Sequence, residues 1–162
     1  MKAKVNTKRK SERKLNGYVR CGRGFFNQCV TCSLIPESGI KTHKCQKTNK
    51  TYQIKTQVTC TTENVIYRIT CKKPQCKNFV YIGQTTRRFC DRFGDHRTYV
   101  STKQLDQVCG EHFNKKGHTK EDMCPVIIEQ VVPKDDDLIR DKREELWIKT
   151  YQSVEFGNNK RA

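Results

Sequence analysis

The sequence offers little from which to build a large apolar core. Hydrophobic residues make up 34% of its 162 positions and there is one tryptophan. No run approaches the roughly 20 apolar residues of a membrane-spanning helix, so no membrane partner is expected. A small core leaves stability short, and metal cross-links are the obvious supplement. Acidic residues are also scarce, 17 against 33 Lys and Arg, for a net charge of +16. Such an excess calls for a polyanionic partner, with nucleic acid first among them. A secretory signal pattern is missing as well. The ten cysteines therefore read as metal ligands and free thiols in an intracellular protein, not as disulfides. The basic charge points to the nucleus. No internal repeat or low-complexity segment is present beyond the basic N-terminus, and the length suits one domain with room for a small satellite.

Residues 1–24 hold nine Lys or Arg and one acid, Glu12, which is half the net charge of the chain. A run of this kind cannot bury itself, so residues 1–20 are expected to form a disordered basic tail. It would serve as a solubilising tail, an import signal or a nucleic-acid clamp. A cysteine-rich segment, 21–62, follows. The Cys29-Val-Thr-Cys32 pair places two thiolates with the bite a tetrahedral Zn²⁺ needs. Spacing alone leaves the remaining ligands open among Cys21, His43, Cys45 and Cys60.

From Asn64 to Arg97 the periodicity is informative. Val65, Tyr67 and Ile69 alternate, predicting a strand near 65–70. Phe79 to Ile82 repeat the pattern near 79–83, with Gly83 expected to end the strand in a tight turn. The period then changes: Phe89, Phe93, His96 and Val100 fall at helical spacing, and Arg88, Arg92 and His96 share one face. Tyr67 and Tyr81 on neighbouring strands, with Arg92 and His96 on the next helix, gather proton-transfer and anion-stabilising groups suited to cutting a phosphodiester. The loop from Cys71 to Asn78 is long for a hairpin and needs something to order it. Zinc held by Cys71, Cys76, His112 and His118 fits, with Cys109 competing with His112.

PVIIEQVV predicts a third strand over 125–132, opened by Pro125 and closed by Pro133. Asp135, Asp136 and Asp137 then favour the start of a helix reaching about Tyr151. On that helix Arg140, Glu144, Trp147, Ile148 and Tyr151 share a face. The fold class expected is α/β (α+β), a small three-stranded antiparallel sheet flanked by helices, with zinc-stabilised insertions.

The motifs VIY at 65–67 and YIG at 81–83, with Arg92 and His96 at matching type and spacing, resemble the core of the GIY-YIG endonucleases; Val65 replaces the usual Gly. The cysteines Cys71 and Cys76 between the tyrosine motifs make the chain similar to the nuclease domain of Penelope-like retroelements, which pairs two such cysteines with two downstream histidines. The resemblance runs from about Cys21 to Asn159 and places the endonuclease domain at 63–162. It implies a second zinc quartet of Cys21, Cys29, Cys32 and Cys60, followed by a strand TYQIKT at 51–56. It also implies a catalytic Mg²⁺ (or Mn²⁺) on Glu144, which the register selects over Glu145, and a functional role for Asn159. Two structural Zn²⁺ complete the cofactors.

On this reading the activity is metal-dependent hydrolysis of DNA, nicking a strand to prime reverse transcription. Tyr67 or Tyr81 would take the proton from water, Arg92 would grip the phosphate, and His96 would relay the proton or hold a tyrosine hydroxyl. Partners would be DNA and, through the resemblance, the element's own RNA and reverse transcriptase region, since the chain resembles the C-terminal part of such a protein. Two other readings compete: a zinc-dependent nucleic-acid-binding module without catalysis, and a zinc-stabilised scaffold for protein partners.

Overall fold

The computed structural model describes residues 16–22, 29–133 and 136–153. The basic run over 1–15, Asp135 and Asn159 lie outside the described residues. Four short strands come from the N-terminal third: β1 (Gly17–Tyr18), β2 (Thr42–Lys44), β3 (Thr51–Gln53) and β4 (Gln57–Val58), with helix α1 (Val30–Ser33) after the first. The central sheet is made of β5 (Val65–Cys71), β6 (Val80–Thr85) and β7 (Met123–Gln130). Helices α2 (Phe89–Ser101) and α3 (Val108–Phe113) separate the last two strands, and α4 (Asp137–Tyr151) follows.

The sheet order is β6-β5-β7, antiparallel at both junctions, so the strand carrying Tyr67 is central. Tyr67 pairs with Gly83 and Ile69 with Tyr81, which puts Tyr67 and Tyr81 on one face. Arg68 pairs with Ile82 and Ile66 with Gln84 on the other. Helix α2 covers the first face through buried Phe89, Phe93, His96 and Val100. Helix α4 covers the second, where buried Arg140 donates to Gln84 Oε1 (2.6 Å) and Asn64 Oδ1 (2.9 Å) and pairs with Asp137. A buried guanidinium is tolerable only when its donors are met in this way.

Several element boundaries differ from the sequence expectation. Gly83 does not end its strand: β6 runs on to Thr85, and glycine is needed there for another reason described below. The third strand begins before Pro125 and stops at Gln130. Pro125 can stand inside it because β7 is an edge strand of the described sheet, where alternate residues have no ladder bond to make. The expected strand over 51–56 is cut to three residues, paired antiparallel with β2. The last helix starts at Asp137, with the Asp136 carboxylate accepting from the Ile139 N–H at 3.0 Å as its cap.

Two residues of the expected tail, 1–20, take part in a strand. Gly17–Tyr18 pairs in parallel with β4, and the Tyr18 ring is fully buried, edge-on to Phe89. Gly17 and Tyr18 therefore belong to the folded part. The cysteine-rich segment shares one core with the sheet, since Tyr18, Ile35, Cys45, Ile54 and Val58 join the same apolar cluster as Tyr67 and Phe93. His43 and Tyr52 lock it to α4 by packing against Trp147 and Tyr151.

Candidate active site

The centre of the site is the Tyr67 phenol, fully buried beneath α2. Its oxygen accepts from Arg92 Nε at 3.1 Å and lies 2.8 Å from His96 Nε2. Burial, followed by the Arg92 charge, pushes the His96 pKa down to about 3. The imidazole is therefore neutral at neutral pH. With Arg92 already donating, the phenolic hydrogen is left for His96 Nε2 to accept.

Arg92 reaches further, donating through Nη1 to the Tyr99 hydroxyl at 3.4 Å and pairing with Asp95 at 3.6 Å. Burial pushes the Tyr67 and Tyr81 phenols above their ordinary range, and Arg92 pulls both back. Tyr81 is half-buried, so it offers the more accessible hydroxyl of the pair. Its ring stands edge-on to His96 at 5.2 Å. Cys109, which competes for a zinc role in the sequence, lies instead behind this cluster, where burial raises its thiol to about 12.

Gly83 lies under the Tyr67 ring. A Cβ there would come 2.6 Å from the Tyr67 hydroxyl oxygen and 2.8 Å from the Tyr81 ring. The glycine is required by the approach of two phenols, not by a turn.

Glu144 reaches the site from the other side of the sheet. Gln84 Nε2 donates to Glu144 Oε2 at 3.0 Å and to Asp141 Oδ1 at 2.6 Å, gathering two carboxylates at one amide on the edge strand β6. Glu144 is near enough to Tyr81 to raise its phenol electrostatically. The catalytic candidates thus come from both faces and meet around the free edge of β6. Carboxylate oxygens of this kind fit a hard divalent cation. Glu145 faces elsewhere, pairing with Lys149 at 3.3 Å. Gln84, Asp141 and Tyr99 do not stand out in the sequence. The i, i+3 spacing of Asp141 and Glu144 is the available signal, but it becomes meaningful only once Gln84 lies opposite.

The two cysteine-containing quartets also assemble. The donor atoms of Cys21, Cys29, Cys32 and Cys60 lie within 4.8 Å of one another, as do those of Cys71, Cys76, His112 and His118. A zinc tetrahedron with Zn–S bonds near 2.3 Å has corners about 3.8 Å apart, so both clusters match its size. In the first, Cys29 and Cys60 sulfurs are 3.4 Å apart and the Cys21 N–H points at Cys32 Sγ. Burial and the neighbouring thiols push the Cys60 thiol up. A cation among them reverses that cost by favouring the thiolates.

In the second quartet Cys76 Sγ is 3.2 Å from His118 Nε2, and the buried His112 Nε2 has no hydrogen-bond partner among the described residues. Phe79 stacks on the His112 ring at 3.7 Å and fixes its direction. Burial lowers the His112 pKa to about 4, leaving the neutral form that ligates. These clusters could hold zinc. His43 and Cys45 join neither, because His43 Nδ1 bonds the Tyr151 hydroxyl at 2.5 Å and the Cys45 thiol points to the Thr150 carbonyl.

No curated protein and no solved structure gives a significant match to the chain. The model of the GIY-YIG catalytic domain, however, matches residues 63–160, which span every strand and helix of the central sheet. With more than half its length matched, the chain belongs to the GIY-YIG catalytic domain family, whose members are nucleases that use divalent metal ions.

Proposed function

We propose that this protein is a divalent-metal-dependent DNA endonuclease that hydrolyses phosphodiester bonds. The observation that carries this reading is the Tyr67–His96–Arg92 hydrogen-bonded cluster, with Tyr81 beside it and Glu144 at the adjoining sheet edge. A module that only bound nucleic acid would have no use for a buried phenol held between an acceptor imidazole and a guanidinium.

Hydrolysis needs a deprotonated water, a stabiliser for phosphate charge and a path for the proton. Tyr81 is the accessible phenol; in the fraction ionised to phenolate, its own proton lost to solvent, it takes the proton from water as the water oxygen bonds to phosphorus and the bond to the 3′ oxygen breaks. Arg92 lowers the cost of negative charge on that phenol and grips a phosphate oxygen. Tyr67, whose own hydroxyl proton is accepted by the neutral His96, holds Arg92 in place through its oxygen. Glu144, with Asp141 alongside, would hold Mg²⁺ or Mn²⁺, which supplies positive charge to the phosphate and the leaving oxygen. Asn159 would complete the site as in the family pattern.

The zinc quartets have protein donors at all four corners, so their role is structural. The finer assignment is to the Penelope-like type, nicking DNA in the nucleus to prime reverse transcription alongside the element's RNA and reverse transcriptase region. The intervening cysteines and paired histidines support it, because they gather into one four-donor cluster. Nicking of supercoiled plasmid with Mg²⁺ tests the core proposal. Tight, salt-sensitive DNA binding without nicking, under both Mg²⁺ and Mn²⁺, would favour the non-catalytic binding module instead.

A further inference from the structure

A second cavity, on the opposite face of the sheet from Tyr67 and Tyr81, is lined by cations. It measures about 130 Å³ and lies between the turn after β2, the start of β6 and the end of α4. Its lining includes Lys44, Lys47, Arg68 and Lys77, and no carboxylate among the described residues. Lys44, Arg68 and Lys77 around one small cavity repel each other, a repulsion that a bound anion would relieve.

The floor is rigid. Arg68 donates through Nη1 to the Lys44 carbonyl (2.8 Å) and to the Tyr151 hydroxyl (3.4 Å). Its guanidinium lies 5.8 Å from the Tyr151 ring centre. The Tyr151 hydroxyl is in turn held by His43 Nδ1. Arg68 Nε is buried and has no hydrogen-bond partner among the described residues. A cavity of this volume has room for several waters, each needing roughly 10–15 Å³, and so for a tetrahedral oxyanion.

The position suggests which anion. Val80 lines the cavity and precedes Gly83, the residue beneath the reacting phenols, by three positions on the same edge strand. That is about 10 Å along a strand, with Val80 on the Arg68 face and the phenols on the other, so the cavity lies round the edge of β6 from them. We propose that this cavity binds a backbone phosphate of the nucleic acid that flanks the scissile bond, with Arg68 as its fixed floor and Lys44 and Lys77 as its mobile arms. The proposal rests on the nuclease reading for its substrate and adds a phosphate anchor that sets how the substrate lies along β6.

The test is anisotropy of a labelled DNA duplex bound to the full chain between 50 and 200 mM salt, with zinc retained and no magnesium or manganese added. Lys44 and Lys77 are exposed, so Lys44→Gln/Lys77→Gln should fold normally. Losing the one phosphate contact that both lysines serve lowers the log–log salt slope by about 0.9, so the double variant should drop by about that much and bind on the order of tenfold more weakly at 100 mM salt. A control pair of equal charge that does not line the cavity, Lys41→Gln/Lys103→Gln, should move the slope far less. Equal weakening in both pairs would mean diffuse charge attraction and would overturn the site, as would an unchanged slope in the cavity variant. Inorganic phosphate titrated alone separates the sources. If it binds the wild-type chain and not the cavity variant while the DNA slope is unchanged, the cavity serves free phosphate and the backbone proposal fails. A slope difference in a protein that never nicks DNA would sink the nuclease reading and leave this site standing.

Discussion

Tyr67 leaves Gly83 no room for a side chain: a Cβ at 83 would sit 2.6 Å from the phenol oxygen that meets His96 and Arg92. The backbone of one strand thus acts as the floor for the phenol of the next. Gly83→Ala should displace the Tyr67 ring and with it the Arg92 guanidinium. Overpacking of this kind costs about 1–3 kcal/mol, so the variant should fold with a lowered unfolding midpoint. Cleavage should fall more than stability does, and wild-type nicking rates in Gly83→Ala would show that the phenol is not held in place by this close approach.

The hydrogen-bonded cluster predicts how its members respond to substitution. Arg92→Lys keeps one positive charge but removes the Nε donor to Tyr67 and the reach to Tyr99. It should therefore be almost as inactive as Arg92→Ala, with nicking slowed about a hundredfold or more. Rescue by lysine would reduce Arg92 to a source of charge alone. His96→Gln, which keeps an acceptor near Tyr67, should retain more activity than His96→Ala.

A phenol raised by burial, with Arg92 pulling the other way, stays protonated across the neutral range. Its capacity to accept a proton grows as pH rises toward its pKa. The nicking rate should therefore climb between pH 7 and 9, by up to about tenfold per unit. Tyr81→Phe should abolish most of the activity and flatten the residual profile. If Tyr67→Phe flattens the profile and Tyr81→Phe leaves its slope intact, the two tyrosines exchange roles.

Glu144 and Glu145 are adjacent in sequence and differ in direction by about 100° around the helix. Glu144 meets Gln84 at the edge of the sheet, whereas Glu145 pairs with Lys149. Glu144→Ala should abolish cleavage while DNA binding survives or tightens, because one like charge is removed from a phosphate-facing site. Glu145→Ala should nick at near wild-type rates. Comparable impairment in both variants would indicate helix damage, and full activity in Glu144→Ala would remove it as the metal anchor.

Metal analysis should find two zinc ions per chain. Structural zinc commonly contributes on the order of 10 kcal/mol of apparent folding free energy. Strong chelation should therefore unfold the hairpin tip at Cys71 and Cys76 and the segment around Cys29 and Cys32, seen as reduced amide protection in both places. Fewer than one zinc per chain would refute the assignment.

Much of this arrangement is written in periodicity and spacing. Alternation at Val65, Tyr67 and Ile69 dictates a strand whichever sheet it joins, because side-chain direction in a strand has period two. The helical spacing of Phe89, Phe93 and His96 sets a buried face for the same local reason. Cysteine spacing nominates metal sites, since a CxxC bite is itself local geometry. Spacing does not choose among Cys21, His43, Cys45 and Cys60; the fold does, by sending His43 to Tyr151 and Cys45 to Thr150. Gly83 shows the limit most directly. In sequence a glycine after a strand reads as a turn, and only the antiparallel register that places Tyr67 opposite reveals a steric requirement. The carboxylate pair of Asp141 and Glu144 at Gln84 and the cationic cavity around Arg68 are likewise invisible in sequence, because each joins residues more than 20 positions apart through sheet pairing and helix docking. Local chemistry decides what each segment becomes; which side chains then face one another depends on how those segments pack.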